Sequence, residues 1–126
     1  MSPQRPSEEY FQKLVKYGIA EIKDNKYIYT QEFTETIKSF VKRQPNKLES
    51  FRIVNRIKGY LSDALFVFAG YFGRSKVQTD NLIIAGICLD RYNKANNNIV
   101  PKDDMAFVAY AIWYLNDHEP EVEDDI

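Results

Sequence analysis

Residues 16–33 read KYGIAEIKDNKYIYTQEF. The period changes twice within this stretch. Before it, Tyr10, Phe11, Leu14 and Val15 fall on one face at helical spacing. Gly18 then supplies a residue that takes the left-handed conformation and ends a helix. IAEIK and KYIYT follow, flanking Asp24-Asn25, two residues that tolerate the positive φ of a type I′ turn. With Asp24 and Asn25 as the loop, Ile22 faces Tyr27 and Ala20 faces Tyr29, while Glu21 and Ile28 lie on the other side. One face of the ribbon is therefore aromatic. Two strands alone are marginal in water, so that face must pack on helices. Thr30 caps the helix that follows.

Outward from the ribbon, the pattern is helical in both directions. Ser7, with Glu8 and Glu9 behind it, is the expected N-cap of a first helix over about 7–17. A second helix is predicted over about 31–44, with Phe33, Ile37, Phe40 and Val41 inward and Pro45 as its stop. A third runs from a capping-box spacing at Asn46 and Glu49 to Phe72, and its second half, ALFVFAGYF, is apolar all round. A fourth is predicted over about 77–95, ended by Asn96-Asn97-Asn98. Pro101, Asp103 and Asp104 open a fifth, with Met105, Val108, Ala109, Ile112 and Leu115 inward. The fold class is thus mainly α: an irregular bundle of about five helices with one small β-hairpin at about 19–30, near the N-terminus. Residues 1–116 form a single domain. From 117 the chain is acidic, and a largely disordered tail is expected over 117–126.

The chain has 126 residues, 44% apolar and 28% charged, an ordinary globular composition. Nine Tyr and eight Phe predict a ring-rich core. The single cysteine, Cys88, makes no internal disulfide, which fits a reducing, cytoplasmic setting. Neither a secretory signal nor a bilayer span is expected; the longest apolar run, 64–72, is far short of the roughly 20 residues a span needs. Charge is uneven: residues 1–76 carry 14 Lys/Arg against 8 Asp/Glu, and residues 77–126 carry 3 against 10. Such asymmetry marks a nucleic-acid face, an acidic docking tail, or simply two differently solvated surfaces.

The densest cationic stretch is Lys38, Lys42, Arg43, Lys47, Arg52, Arg56 and Lys58, interrupted only by Glu49. Lys38 and Lys42 are one helical turn apart, as are Arg52 and Arg56, so each pair projects from one side of its helix. Side chains arrayed in this way contact successive phosphates. The competing reading is a solvated face, or salt bridges to the acidic half.

Leu14, Gly18, Ile19, Glu21, Tyr27, Tyr29, Thr30 and Phe33 form a pattern of helix end, ribbon and Thr-capped helix. It resembles the recognition-helix and wing segment of small archaeal and bacterial winged-helix regulators. The resemblance covers about a quarter of the chain. It implies that 7–17 is a DNA-reading helix, that Lys23 and Lys26 stand at the wing tip near phosphate, and that later helices complete a trihelical core. A fainter likeness lies in ICLDRYNKANNNIVPKDDMAFVAYAIWYLND, residues 87–117, which looks like part of a cyclin-type helical box. Ordinary core helices account for the same residues.

Catalytic chemistry finds little to stand on. His118 is the only histidine, set between Asp117 and Glu119, and reads as a surface side chain. Cys88 lies in an apolar helix, where a buried inert thiol is the default. Neither a structural zinc set nor a Walker spacing is present, and no cofactor or metal is expected. The sequence therefore predicts a small, non-enzymatic, intracellular binding protein. It acts at DNA or RNA, or in a nucleic-acid-associated regulatory complex, through Lys23, Lys26 and the basic face of 38–58. The alternative is a protein-interaction module or assembly subunit using its apolar surface and acidic tail. A homodimer is expected on either reading, because the apolar runs 64–72 and 82–89 exceed what a one-sided helix needs.

Overall fold

The computed structural model describes residues 5–42 and 76–123. Within them the chain is mostly helical, with one two-stranded antiparallel hairpin near the N-terminus. The order is α1 (Glu8–Lys16), β1 (Ala20–Lys23), β2 (Lys26–Tyr29), α2 (Gln31–Lys42), α3 (Lys76–Ala95), a 3-10 turn (Lys102–Asp104) and α4 (Met105–His118). Four α-helices are described rather than the five expected; the helix assigned to 46–72 lies outside the described residues.

The hairpin register follows the side-chain alternation: Ala20 pairs with Tyr29, Glu21 with Ile28, Ile22 with Tyr27 and Lys23 with Lys26. Asp24 and Asn25 make the turn at φ of 52° and 62°, the left-handed pair that a type I′ turn demands. At the near end, Gly18 stands at φ 76° and hands the chain from α1 into β1. Its missing Cβ matters, since one placed there would lie 2.7 Å from Tyr92 Oη. That hydroxyl donates to the Tyr17 carbonyl at 2.6 Å, tying α3 to the end of α1. Thr30 works in two directions: its Oγ1 accepts from the Phe33 N–H at 3.2 Å and donates to the Gly18 carbonyl at 2.6 Å. Ser7 begins α1 through its carbonyl, which accepts from the Tyr10 N–H at 3.0 Å; its side chain makes no cap bond.

The aromatic face of the hairpin packs as expected. Tyr27 stacks on Phe11 of α1 with centroids 5.0 Å apart, and Tyr29 leans on Phe33 of α2 at 5.2 Å. Tyr29 Oη also donates to the Ile112 carbonyl of α4 at 2.6 Å. Among the largest fully buried side chains are Tyr27, Tyr110, Phe11 and Phe33, so the core is ring-rich.

The central element is α4. Met105, Val108, Ala109, Ile112 and Leu115 are buried, but so are Ala106, Tyr110, Ala111 and Trp113 from its other sides. It packs on α1, on α3 and on β2, while α2 packs on α3. The turn between α3 and α4 is organised by Asn93. Its Oδ1 accepts from the Val100 N–H at 2.8 Å and its carbonyl from the Asn98 N–H at 2.7 Å. Asn97 and Asn98 take left-handed φ of 58° and 55° there.

Beyond α4 the described residues lie against the hairpin. α4 continues to His118, Glu119 reverses the chain at φ 42°, and the next residues run antiparallel beside β2. Tyr27 N–H donates to the Pro120 carbonyl at 3.0 Å and Val122 N–H to the Asn25 carbonyl at 2.9 Å. Glu121 faces Lys26 in an isolated bridge. Residues 120–122 thus lie beside β2 through one isolated bridge, outside the two-stranded sheet.

Candidate binding surface

Two cations of the expected set meet at the hairpin tip. Lys23 and Lys26 are direct cross-strand partners and so share a face, the one carrying Glu21 and Ile28 rather than the aromatic rings. Lys23 is exposed and Lys26 half-buried. Among the described residues neither is ion-paired with a carboxylate, although Asp24 and Glu21 are near in sequence and Glu121 faces Lys26 across the bridge. Lys38 is exposed on α2, which begins at the opposite end of the hairpin from the tip. Lys42 is the last residue of α2. Arg43, Lys47, Arg52, Arg56 and Lys58 lie outside the described residues. The described part therefore brings Lys23 and Lys26 together.

α1, the segment that the winged-helix resemblance would make the reading helix, buries Phe11 and Leu14 and exposes Glu9, Gln12, Val15 and Lys16. Lys13 is engaged with Asp104, 3.2 Å away at the start of α4. Asp104 also accepts from Tyr17 Oη at 2.8 Å. Burial first, and then this bond to a carboxylate, push the Tyr17 hydroxyl above its ordinary pKa. The Asp104 carboxylate likewise raises Lys13. The sequence reading gave Asp104 only a helix-dipole role; its larger role is to fasten α1 to α4.

A polar cluster lies where α1, the hairpin and the tail meet. Arg5 Nη2 donates to Glu8 Oε2 at 3.0 Å and to the Glu121 carbonyl at 2.8 Å. Its Nη1 lies 3.0 Å from Glu123 Oε1, and the guanidinium sits 4.6 Å above the Phe11 ring. Glu8 in turn accepts from Tyr27 Oη and from the Glu123 N–H. Burial alone would lift the Glu8 carboxyl. The donors Tyr27, Arg5 and Glu123 outweigh it and hold Glu8 below its ordinary pKa. Arg5 was missed by the sequence reading because it stands apart from the cationic stretch, and no local pattern announces its partners.

A concavity of about 140 Å³ lies between β2, α2, α3 and α4, lined by Tyr29, Phe33, Ile37, Ile84, Cys88 and Trp113 among others. Its walls are mostly apolar. Burial pushes the Cys88 thiol up to about 11, so it is almost wholly protonated at neutral pH and a poor nucleophile. His118 is exposed, its ring 4.2 Å from that of Tyr114. Among the described residues no group of three or more His, Cys, Asp or Glu is placed to hold a metal ion, and no helix is long and apolar enough to cross a membrane.

No protein-family model, curated protein or solved structure matches the chain.

Proposed function

We propose that the protein is a non-enzymatic intracellular binding protein that engages nucleic acid through phosphate contacts. The observation that carries this reading is the Lys23–Lys26 pair. Two cations stand side by side at the turn end of the hairpin, on the face turned away from the aromatic rings. Such a tip presents two neighbouring cations, which supports contact with phosphate, while the hairpin's other face anchors it. The sequence supports the same reading with its seven cations against one acid over 38–58. In this account Lys38, Lys42, Arg43, Lys47, Arg52, Arg56 and Lys58 supply most of the affinity, and Lys23 and Lys26 add a second point of contact. The order helix, hairpin, helix supports the likeness to the reading-helix and wing segment of winged-helix regulators; that family places two helices before the reading helix, and here α3 and α4, which follow it, would have to complete the core behind α1.

The test is a mobility shift on mixed-sequence duplex and on single strands at low salt. Retention at micromolar protein is expected. No retention of either would remove the proposal.

A second reading is a protein-interaction module. It is favoured by one specific observation: the outer edge of β2 accepts an extended peptide, here the chain's own residues 120–122.

A further inference from the structure

The tail is seated as a ligand would be. In the hairpin, hydrogen-bonded pairs alternate with non-bonded ones. Thr30 N–H donates to the Ile19 carbonyl, so Tyr27, three residues earlier, turns its N–H away from β1. That outward N–H meets Pro120, and the Asn25 carbonyl meets Val122. Arg5 reads the Glu121 carbonyl and the Glu123 side chain, and Glu8 receives the Glu123 N–H. Main-chain groups at each position from 120 to 123 are thus engaged. Side chains alternate as a strand's should: Pro120 is buried and Val122 packs against the core, while Glu121 and Glu123 face outward. Recognition by main-chain bonds, with niches for alternate side chains, is how sheet edges take extended peptides.

The seat is also separable from the fold. The segment hangs from α4 by Glu119, held at φ 42°, a conformation unfavourable for a residue with a Cβ. Of residues 119–123 only Pro120 is buried. Peeling the tail away would take the Glu121 carbonyl and the Glu123 side chain from Arg5 and the Glu123 N–H from Glu8, and would bare the outer edge of β2, which favours a replacement over an empty edge.

We propose that the outer edge of β2 is an acceptor site for an extended peptide of the pattern proline–acid–apolar–acid carried by a partner protein, and that residues 120–123 occupy it in cis as a resident competitor. This goes beyond the nucleic-acid reading and stands or falls apart from it.

The experiment uses the full chain and a labelled synthetic peptide HEPEVED, residues 118–124. A tail tethered by one residue has a high effective concentration, so the wild-type chain should bind the peptide only weakly. Two variants weaken the tail by different routes. Val122→Asp places a charge in the apolar niche, and Glu119→Pro forbids the positive φ. Each folded variant should bind the peptide at least tenfold more tightly than wild type, and adding Arg5→Ala should abolish that gain. The proposal is overturned if neither variant, shown folded by circular dichroism, binds the peptide more tightly than wild type. It is equally overturned, in favour of tail exchange between copies, if the variants become dimers that exclude the peptide.

Discussion

Gly18 shows how much a single residue settles. Its φ of 76° and the 2.7 Å approach of Tyr92 Oη to a Cβ built there are two separate penalties for any side chain. Gly18→Ala should therefore destabilise the fold by about 2 kcal/mol or more, from left-handed strain of roughly 1–2 kcal/mol plus displacement of the Tyr92–Tyr17 bond. Denaturant unfolding measures this, and adding Tyr92→Phe separates the two parts. In the double variant the steric clash is gone, so the two losses should sum to more than the double variant shows. Strict additivity would mean that Tyr92 is not what Gly18 makes room for. This role was half legible in the sequence. A glycine after an amphipathic stretch predicts a helix stop, but nothing local says that a tyrosine from α3 lies over it. Thr30 divides in the same way: its cap on α2 was readable from position, and its bond back to Gly18 was not.

Among the elements, the hairpin was the most legible. Two turn-forming residues between alternating runs fix the register, and a one-residue slip would have turned Tyr27 and Tyr29 to solvent. The bridge between Lys26 and Glu121 was not legible, because a pairing across nearly a hundred residues leaves no periodic trace and an acidic segment reads as solvated. α4 was legible but under-read: from Met105 to Leu115 there is no charged or amide side chain, the pattern of a helix buried on all sides. The tail's anchorage has a definite pH dependence. Glu8 is held below its ordinary carboxyl pKa of 4.5 in the folded chain, so folding favours its ionised form. The stability it contributes is fully present above the unfolded value and is lost as pH falls through the folded one. Protection of the Val122 amide, followed by hydrogen exchange, should decline as pH is lowered below about 4.5. Glu8→Gln should weaken the protection at neutral pH and flatten the decline. An unchanged profile in that variant would show that Glu8 does not hold the tail.

At the scale of the whole molecule, the uneven charge acquires a physical arrangement. Of the chain's acidic end, the described residues place Glu121 opposite Lys26 of the hairpin, with Glu119 and Glu123 on either side of it in the chain. On the proposed reading, carboxylates so placed would oppose phosphate at the hairpin. Replacing the three by Gln should tighten nucleic-acid binding severalfold at low salt and change it little at high salt, where screening removes the difference. Equal affinity at low salt would place the tail outside the binding surface. The basic stretch is a feature of the sequence, in which helical spacing would group Arg52 with Arg56; both lie outside the described residues. Whether such cations act together is a matter of tertiary placement, which spacing along one helix does not encode. The most direct measurement is the salt dependence of affinity for duplex and single-stranded nucleic acid, in wild type and in Arg52→Gln/Arg56→Gln. The account predicts a steep fall in log affinity with log salt for wild type, and a slope shallower by about 2 in the double variant. Affinity that is absent at low salt, or a slope unmoved by the two replacements, would contradict it.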